Sequence, residues 1–496
     1  MRKSIFLTLL LAAFFVVSAN PVDVGTAKAI GAKFLQASTN VKSADLQLVS
    51  TYNIGRGEAA FYVFNADNGF VIVSADDCAR PILAYSDEGC FNPKDLPIQM
   101  QEYLEDYVEQ IRYGIENSIT ADEKTAKQWD LVKAIGRISD DRGTPVVGPL
   151  VSAKWGQGTA QSGQNLYCRY NIKCPEDSNG PNGHAVTGCV ATAMGQIMHY
   201  HKHPATGTGS HSYTPKGYST QTANFGATTY DWTNMPDMLE TSSSETQDNA
   251  VATLLWHCGV SVNMMYGAGG SGAYSTDVPD ALQTYFNYSD EMSHEYRADN
   301  DDAVWMAKIK ACLDKGRPIY YSGRSLPNDG HAFVCDGYDN QDFLHFNWGW
   351  NGSPNSYYAL TSLNPSSYHF DFEHSAIFNI HPASAEASTY TVAANPNNED
   401  YGSASVSGTL THGSTVTVTA SAKEGYRFNF WSENGVAVST DNSYSFELKY
   451  NRNLVANFST PNNITITPSV YGSTGGTVSA AANYSYGENV TVVAYM

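Results

Sequence analysis

The sequence of this 496-residue chain is poor in positive charge, in cysteine and in long hydrophobic runs. Basic residues number 29 against 49 acidic ones, which gives a formal charge of −20. Nucleic acids and anionic membranes are bound through a positive field, so this balance excludes them as partners held by charge alone. The eight cysteines are widely spaced without a Cys-x-x-Cys pair, which argues against a disulfide scaffold and a zinc site. Cys168 and Cys174 bracket a short polar loop and could form one disulfide.

The longest apolar run stands at the N-terminus. Arg2 and Lys3 precede it, residues 5–17 form it, and small residues at 18–20 follow it. A membrane-spanning helix needs about 20 apolar residues, so the pattern predicts a secretory signal peptide over residues 1–20. No later segment approaches that length. We therefore expect a secreted protein, extracellular or associated with the cell surface, without a transmembrane segment.

The length predicts three or four structural units, and the first follows the signal peptide. Residues 21–143 are typical of a small α+β unit. Hydrophobic periodicity predicts helices at 24–35 and 100–115 and strands at 60–65 and 69–74. The polar segment 140–143, followed by Pro145, predicts an exposed linker and a processing site.

Thr, Val and Ser alternate with Gly-containing turns from residue 384 onward, and a period of two is typical of β-strands. The pattern at 401–420 recurs at 471–494, shortly before the chain stops at Met496. We therefore predict an all-β repeat over 384–460 and an incomplete second repeat over 461–496. Such repeats are expected to serve as a surface spacer or a binding module.

Cys189 follows a Gly-rich stretch and opens a segment, 189–203, whose apolar residues recur with helical spacing. The pattern predicts a helix that Pro204 ends, with Cys189 in its first turn. Free N–H groups and the positive helix end favour a thiolate there, and a thiolate is the nucleophile of acyl transfer. A free cysteine is more often a buried apolar residue, so the assignment needs a second segment.

That second segment begins at His331, which stands at the start of a predicted strand, 142 residues after Cys189. Papain-type peptidases place their His about 130–150 residues after the Cys. A returning strand and a Trp-rich exit loop follow over 343–352. Together the two segments favour catalysis by a Cys–His pair. Upstream, the side-chain amide of Gln157 could donate to the developing oxyanion, together with the backbone N–H of Cys189.

His199, His201 and His203 also cluster in sequence. On a helix, a spacing of two residues turns neighbouring side chains about 200° apart, so the three rings do not converge on one ion. We predict no metal site.

The chain resembles the streptopain family of papain-like cysteine peptidases in several motifs. In the second half these are Gly-Cys-Val-Ala-Thr-Ala at 188–193, Gln-Ile-Met at 196–198, Tyr-Gly-Ala-Gly-Gly-Ser-Gly-Ala at 266–273, Gly-His-Ala-Phe-Val at 330–334 and Asn-Trp-Gly-Trp at 347–350. Near the N-terminus, Ala-Phe-Tyr-Val-Phe-Asn at 60–65, Gly-Phe-Val-Ile-Val-Ser at 69–74 and Tyr-Val-Glu-Gln-Ile at 107–111 resemble that family's inhibitory propeptide. The C-terminal repeats are similar instead to β-rich surface repeats of bacterial extracellular proteins.

The resemblance implies an α+β protein with an inhibitory propeptide over 21–143, a papain-like catalytic domain over 144–383 and C-terminal all-β repeats. It implies Cys189 as nucleophile, His331 as proton acceptor and Gln157 in the oxyanion hole. Trp348, or Asn347 beside it, would hold the imidazole, although the papain order Asn-Ser-Trp is here Phe-Asn-Trp. Four residues would bind the substrate backbone, namely Ser271, Gly272, Ala273 and Gly330.

The predicted function is that of a secreted cysteine endopeptidase made as a zymogen. We expect protein or peptide substrates, the chain's own propeptide as intramolecular inhibitor, no cofactor, and a monomer once activated. Two alternatives remain open. One is a papain-like acyltransferase of the transglutaminase type, whose usual third member is an Asp downstream of the His. The other is an inert adhesin in which the repeats are the active part.

Overall fold

The computed structural model describes residues 20–39, 41, 45–55, 57–94, 96, 98–139, 145–158, 169–325, 330–353, 355–361, 372–383, 389–433, 435–460, 463–466, 477–478, 482–485, 491 and 493–495. The chain divides into two compact units, residues 1–299 with 312–383 and residues 300–311 with 384–496. Most of the predicted signal peptide, the segment 140–143, Cys168 and most of the second repeat lie outside the described residues.

Seven α-helices are described, and three of them match predicted ones. They are α1 (Val24–Ser38), α2 (Ile98–Glu116), α3 (Glu123–Ile135), α4 (Cys189–His201), α5 (Glu245–Ser261), α6 (Val278–Phe286) and α7 (Asp302–Leu313). Asp23 caps α1 by accepting from the N–H groups of Gly25 and Thr26. Pairing of this kind satisfies donors that a helix start leaves free.

The strands of the first unit are β1 (Gln47–Asn53), β2 (Ala59–Asn65), β3 (Phe70–Ser74), β4 (Ile82–Ser86), β5 (Pro145–Val147), β6 (His211–Tyr213), β7 (Gln221–Ala223), β8 (Ser293–Tyr296), β9 (Ile319–Ser325), β10 (His331–Asp339), β11 (Phe343–Asn347), β12 (Ser356–Ala359) and β13 (Phe372–Phe378). Eleven of them form one sheet in the order β1-β2-β3-β4-β12-β11-β10-β9-β13-β8, with β5 paired to β10. Helices and an antiparallel sheet confirm the predicted α+β class.

This sheet runs without a break from the N-terminal segment into the segment that carries His331, because β4 pairs with β12. Tyr85 of β4 stands opposite Tyr357 of β12, and their rings stack at 5.2 Å. The Tyr85 hydroxyl donates to the Asp339 carboxylate over 2.8 Å. The hydroxyl of Ser356 donates to the Tyr85 carbonyl. The predicted propeptide and the predicted peptidase domain therefore share one sheet within the first unit.

Helix α2 adds a second contact between the same two segments. The hydroxyls of Tyr103 and Tyr107 both donate to the carbonyl of Ala359, at 2.9 and 2.5 Å. The Tyr103 ring meets the ring of Trp348 edge-on at 5.4 Å, and the Phe346 ring in the same way at 6.1 Å. Helix α2 thus covers the end of β11 and the residue that follows it.

The second unit is all-β apart from residues of α7. Its strands are β14 (Val392–Pro396), β15 (Gly402–Gly408), β16 (Thr415–Ala422), β17 (Arg427–Glu433), β18 (Val436–Ser439), β19 (Ser443–Glu447), β20 (Arg452–Ser459), β21 (Asn463–Ile466), β22 (Thr477–Val478), β23 (Ala482–Ser485) and β24 (Ala494–Tyr495). Trp431 and Phe458 lie in its core, and Arg452 forms a buried ion pair with Glu433. Among the described residues, no helix is both apolar and long enough to cross a bilayer.

The stacked pair Tyr85 and Tyr357 offers a matched test of the shared sheet. Tyr85→Phe removes a donor from a buried carboxylate, so we expect a loss of about 1–3 kcal/mol in unfolding free energy. The hydroxyl of Tyr357 is buried and has no hydrogen-bond partner among the described residues, so Tyr357→Phe should be neutral or slightly stabilising. Urea unfolding of both full-length variants in a Cys189→Ala background measures the difference. Equal losses of unfolding free energy in the two variants would contradict a stabilising contribution of the Tyr85–Asp339 hydrogen bond.

Candidate active site

Cys189 is the first residue of α4, as the sequence predicts. Gly188 caps this helix with φ +86°, and a Cβ there would lie 2.8 Å from the sulfur of Met264 and from the carbonyl oxygen of Ser271. Both the left-handed conformation and the lack of space favour glycine at this position. The turn places the half-buried Cys189 in the first turn of the helix, where the N–H groups of a helix start favour a thiolate.

His331 is the first residue of β10, and its side chain is 4% exposed. Its ring stacks on Trp350 at 4.3 Å. Its Nε2 lies 2.9 Å from the carbonyl oxygen of Trp348. Since a carbonyl only accepts, Nε2 carries the proton, and Nδ1 of the neutral ring is the nitrogen able to take one. Burial lowers the pKa of His331 to about 4, although the bond to Trp348 acts in the opposite direction.

Helix α4 packs against β10, so the two segments that begin with Cys189 and His331 adjoin. Val190 and Met194 share an apolar core with Ala332 and Val334. The next strand contributes Tyr320, whose hydroxyl lies 2.9 Å from that of Ser275. Burial and the neighbouring Cys189 raise the pKa of Tyr320. This tyrosine beside the cysteine was not predicted, because strand pairing alone places it there.

The segment of Gln157 lies against the residues before Cys189. The Gln157 carbonyl accepts from the N–H of Thr187 over 3.1 Å, two residues before Cys189. Just upstream, the N–H of Trp155 donates to Oε1 of Gln196, and the Trp155 carbonyl accepts from Asn351. The structure thus brings the predicted oxyanion segment to the start of α4. Gln196 belongs to a motif of the resemblance, but nothing in the sequence predicts its contact to Trp155.

Asn347 and Trp348 were the two candidates for holding the imidazole. The group at Nε2 is the backbone carbonyl of Trp348. The side-chain amide of Asn347 instead donates to the carbonyl of Ala153 over 2.6 Å and accepts from the N–H of Gly349 over 3.3 Å. The buried Asn347 therefore holds main chain at Ala153 and Gly349, and the carbonyl of Trp348 contacts the imidazole of His331.

The four predicted substrate-binding residues occupy two places. The Ser271 hydroxyl donates to the carbonyl of Val186 over 2.7 Å, which supports the segment that leads to Cys189. Gly272 uses both its N–H and its carbonyl in a bridge with Met265. Ala273 is half-buried in the same core as Cys189, while Gly330 is exposed at the start of β10. Ser271 thus has a supporting contact, and Gly330 is open to solvent.

The three clustered histidines contact three different carbonyl groups. Nε2 of His199 pairs with Met235, that of His201 with Ile380, and that of His203 with Asn287, as separate bonds of 2.9, 3.2 and 3.0 Å. Burial lowers the pKa of His201 to about 4. Within the described ranges, no three His, Cys, Asp or Glu side chains are arranged to hold a metal ion.

Three family models match the chain. The Peptidase C10 family matches residues 164–358, the Spi protease inhibitor model residues 19–111, and the divergent InlB B-repeat domain residues 390–462. The described part of the third match lies within the second unit and covers β14 to β20.

Individual relatives give the same assignment. Streptopain of Streptococcus pyogenes is 34% identical over 349 residues, which cover 67% of this chain and 83% of streptopain. Thiol protease/hemagglutinin PrtT of Porphyromonas gingivalis is 32% identical over 406 residues, 78% of this chain, and the chain spans only 45% of that relative's length. The solved structure of a prointerpain A fragment from Prevotella intermedia has a TM-score of 0.53 at 31% identity and covers 67% of this chain and 97% of the fragment.

These matches confirm the family that the motifs indicate. The chain belongs to the Peptidase C10 family and is a cysteine peptidase with an N-terminal domain of the Spi inhibitor type.

Proposed function

We propose that this chain is the zymogen of a secreted endopeptidase in which Cys189 attacks the peptide carbonyl and His331 is the base. The observation that carries the proposal is the bond from Nε2 of His331 to the Trp348 carbonyl. It fixes the tautomer that leaves Nδ1 free to accept a proton, at the end of a strand packed on the helix of Cys189.

The proposed reaction uses these groups in order. Nδ1 of His331 takes the proton of Cys189, and the thiolate adds to the substrate carbonyl. The oxyanion lies between the N–H of Cys189 and the side-chain amide of Gln157. The imidazolium then protonates the leaving amine, and water hydrolyses the thioester with His331 again as base. Ser271, Gly272, Ala273 and Gly330 would line the cleft and bind the substrate backbone.

The proposed organisation keeps the predicted boundaries. Residues 1–20 are the signal peptide, 21–143 the inhibitory propeptide, 144–383 the peptidase domain, 384–460 the repeat and 461–496 the incomplete repeat. The propeptide is held by the β4–β12 pairing and by Tyr103 against Trp348. Cleavage within 140–146 would release it. The substrates would be extracellular proteins, and the mature enzyme would be a secreted or surface-associated monomer.

The acyltransferase alternative draws no support from the two aspartates that follow His331 on its strand. Asp336 contacts His345 over 2.6 Å, and Asp339 accepts from Tyr85. Neither of these contacts involves the imidazole of His331. The imidazole of His331 is oriented instead by the main-chain carbonyl of Trp348.

Replacement of the nucleophile tests the proposal directly. We expect Cys189→Ala to remain an unprocessed full-length chain without peptidase activity, because no other group supplies a thiolate at the start of α4. Cys90→Ala is the matched control, since Cys90 is an exposed thiol outside the site, and it should process normally. Electrophoresis and cleavage of a peptide substrate are the measurements. Normal self-processing of Cys189→Ala would refute the assignment.

The protonation of His331 gives a second test. With a pKa of about 4, the imidazole of the full chain is neutral near pH 6 and forms no ion pair with a thiolate. We expect propeptide removal to admit water and raise this pKa toward the ordinary value of about 6.5 or above. Iodoacetamide should then alkylate Cys189 of the processed enzyme rapidly near pH 6. In the freshly prepared full chain, the rate should rise only as an ordinary thiol ionises, near about pH 8.5.

The Cys90→Ala background removes the exposed thiol from this labelling experiment. Identical pH profiles before and after processing would contradict a zymogen with a neutral, buried base.

A further inference from the structure

Gln196 lies in the middle of α4, about two helical turns after Cys189, with no exposed side-chain surface. Its Oε1 accepts the N–H of Trp155 over 3.1 Å. The carbonyl of Trp155 accepts from the N–H of Asn351 over 3.2 Å. The Trp155 backbone is therefore held from two sides, and Gln157 is only two residues further along.

Two glycines allow this close approach. A Cβ at Gly156 would lie 2.5 Å from Oδ1 of Asn351, so glycine lets the segment before Gln157 approach that side chain closely. A Cβ at Gly349 would lie 3.1 Å from Cγ2 of Thr192 and 3.9 Å from Nε2 of Gln196. Gly349 directly follows Trp348, whose carbonyl holds His331. The oxyanion segment, the nucleophile helix and the loop after Trp348 therefore meet around Gln196.

The other half of the Gln196 amide is unused. Its Nε2 is buried and makes no hydrogen bond to any described residue. An apolar side chain of similar shape avoids the desolvation that an unsatisfied NH₂ suffers. Packing of α4 alone therefore does not favour glutamine at this position. The oxygen of the Gln196 amide is the polar atom that is used, and among the described residues it accepts from the Trp155 N–H.

We propose that Gln196 is a positioning residue of the oxyanion hole, which fixes the Trp155 backbone and thereby sets Gln157 relative to Cys189. This inference rests on the proposed roles of Cys189 and Gln157. Gln196 does not touch the substrate; it acts through Gln157. A misplaced donor weakens stabilisation of the oxyanion but leaves the Cys189–His331 pair in place.

The test compares Gln196→Met with Gln196→Glu in the full chain, activated by a trace of wild-type enzyme whose own turnover is subtracted. Gln196→Met keeps the volume and removes the acceptor. We expect its kcat to fall on the order of a hundredfold, with KM nearly unchanged. Alkylation of Cys189 by iodoacetamide needs no oxyanion hole and should stay within about twofold of wild type. Met198→Leu, a packing change on the same helix, is the control and should keep kcat.

Gln196→Glu keeps an acceptor oxygen in the same shape. Burial raises the pKa of such a carboxyl, so its kcat relative to wild type should recover as the pH falls and the carboxyl gains a proton. An unchanged kcat in Gln196→Met would overturn the proposal, and so would equal losses of kcat and alkylation. If Gln196→Met does not fold, Gln196→Glu decides, and a kcat that stays far below wild type at every pH counts against the proposal.

A double-mutant cycle identifies the route of the effect. Gln157→Ala with Gln196→Met should lose no more kcat than Gln157→Ala alone, because the second change acts through the first. Losses that multiply would overturn the inference and leave the peptidase assignment intact. A failure of that assignment would appear differently, as turnover by Cys189→Ala or full turnover by Gln157→Ala.

Discussion

The hydrogen bond between the His331 imidazole and the carbonyl of Trp348 is the constraint on which the proposed site depends. Its geometry follows from the antiparallel pairing of β10 and β11, in which Val334 stands opposite Asn347. That register places the start of β10 alongside the segment that follows β11, where the His331 ring stacks on Trp350 and Phe333 packs on Trp348. A main-chain acceptor has no rotamer to adopt, so the orientation of the base is as fixed as the sheet. A slip of one residue would reverse the faces of the strand and remove the acceptor.

Trp348 also connects the base to the inhibitor-type domain. Its carbonyl meets His331, while its ring meets Tyr103 of α2 at 5.4 Å. The N-terminal domain is held further by a strand pairing that continues the catalytic sheet. A contact of α2 on the indole therefore bears on the residue whose carbonyl accepts from the His331 imidazole. Burial of the His331 imidazole favours its neutral form.

The sequence predicts the elements well and their contacts less well. Helices α1, α2 and α4, and the start of β10 at His331, follow from hydrophobic periods and from turn residues. The joining of β4 to β12 could not be predicted, since both strands are buried throughout and an apolar run does not specify its neighbour. That Trp348 would contact the imidazole through its main-chain carbonyl could not be predicted either. Every residue has a carbonyl, so residue type carries no signal for a main-chain acceptor.

Cys189, His331 and the side chain of Gln157 are the groups proposed to meet the substrate, and most of what orients them is main chain. The carbonyl of Trp348 holds the base, and the N–H of Cys189 is one proposed oxyanion donor. The buried amides have the complementary task, since Asn347 holds the carbonyl of Ala153 and Gln196 holds the N–H of Trp155. An asparagine near the histidine therefore need not complete a triad. Because the Trp348 carbonyl accepts from Nε2 of His331, the Asn347 amide is available to hold the segment that leads to Gln157.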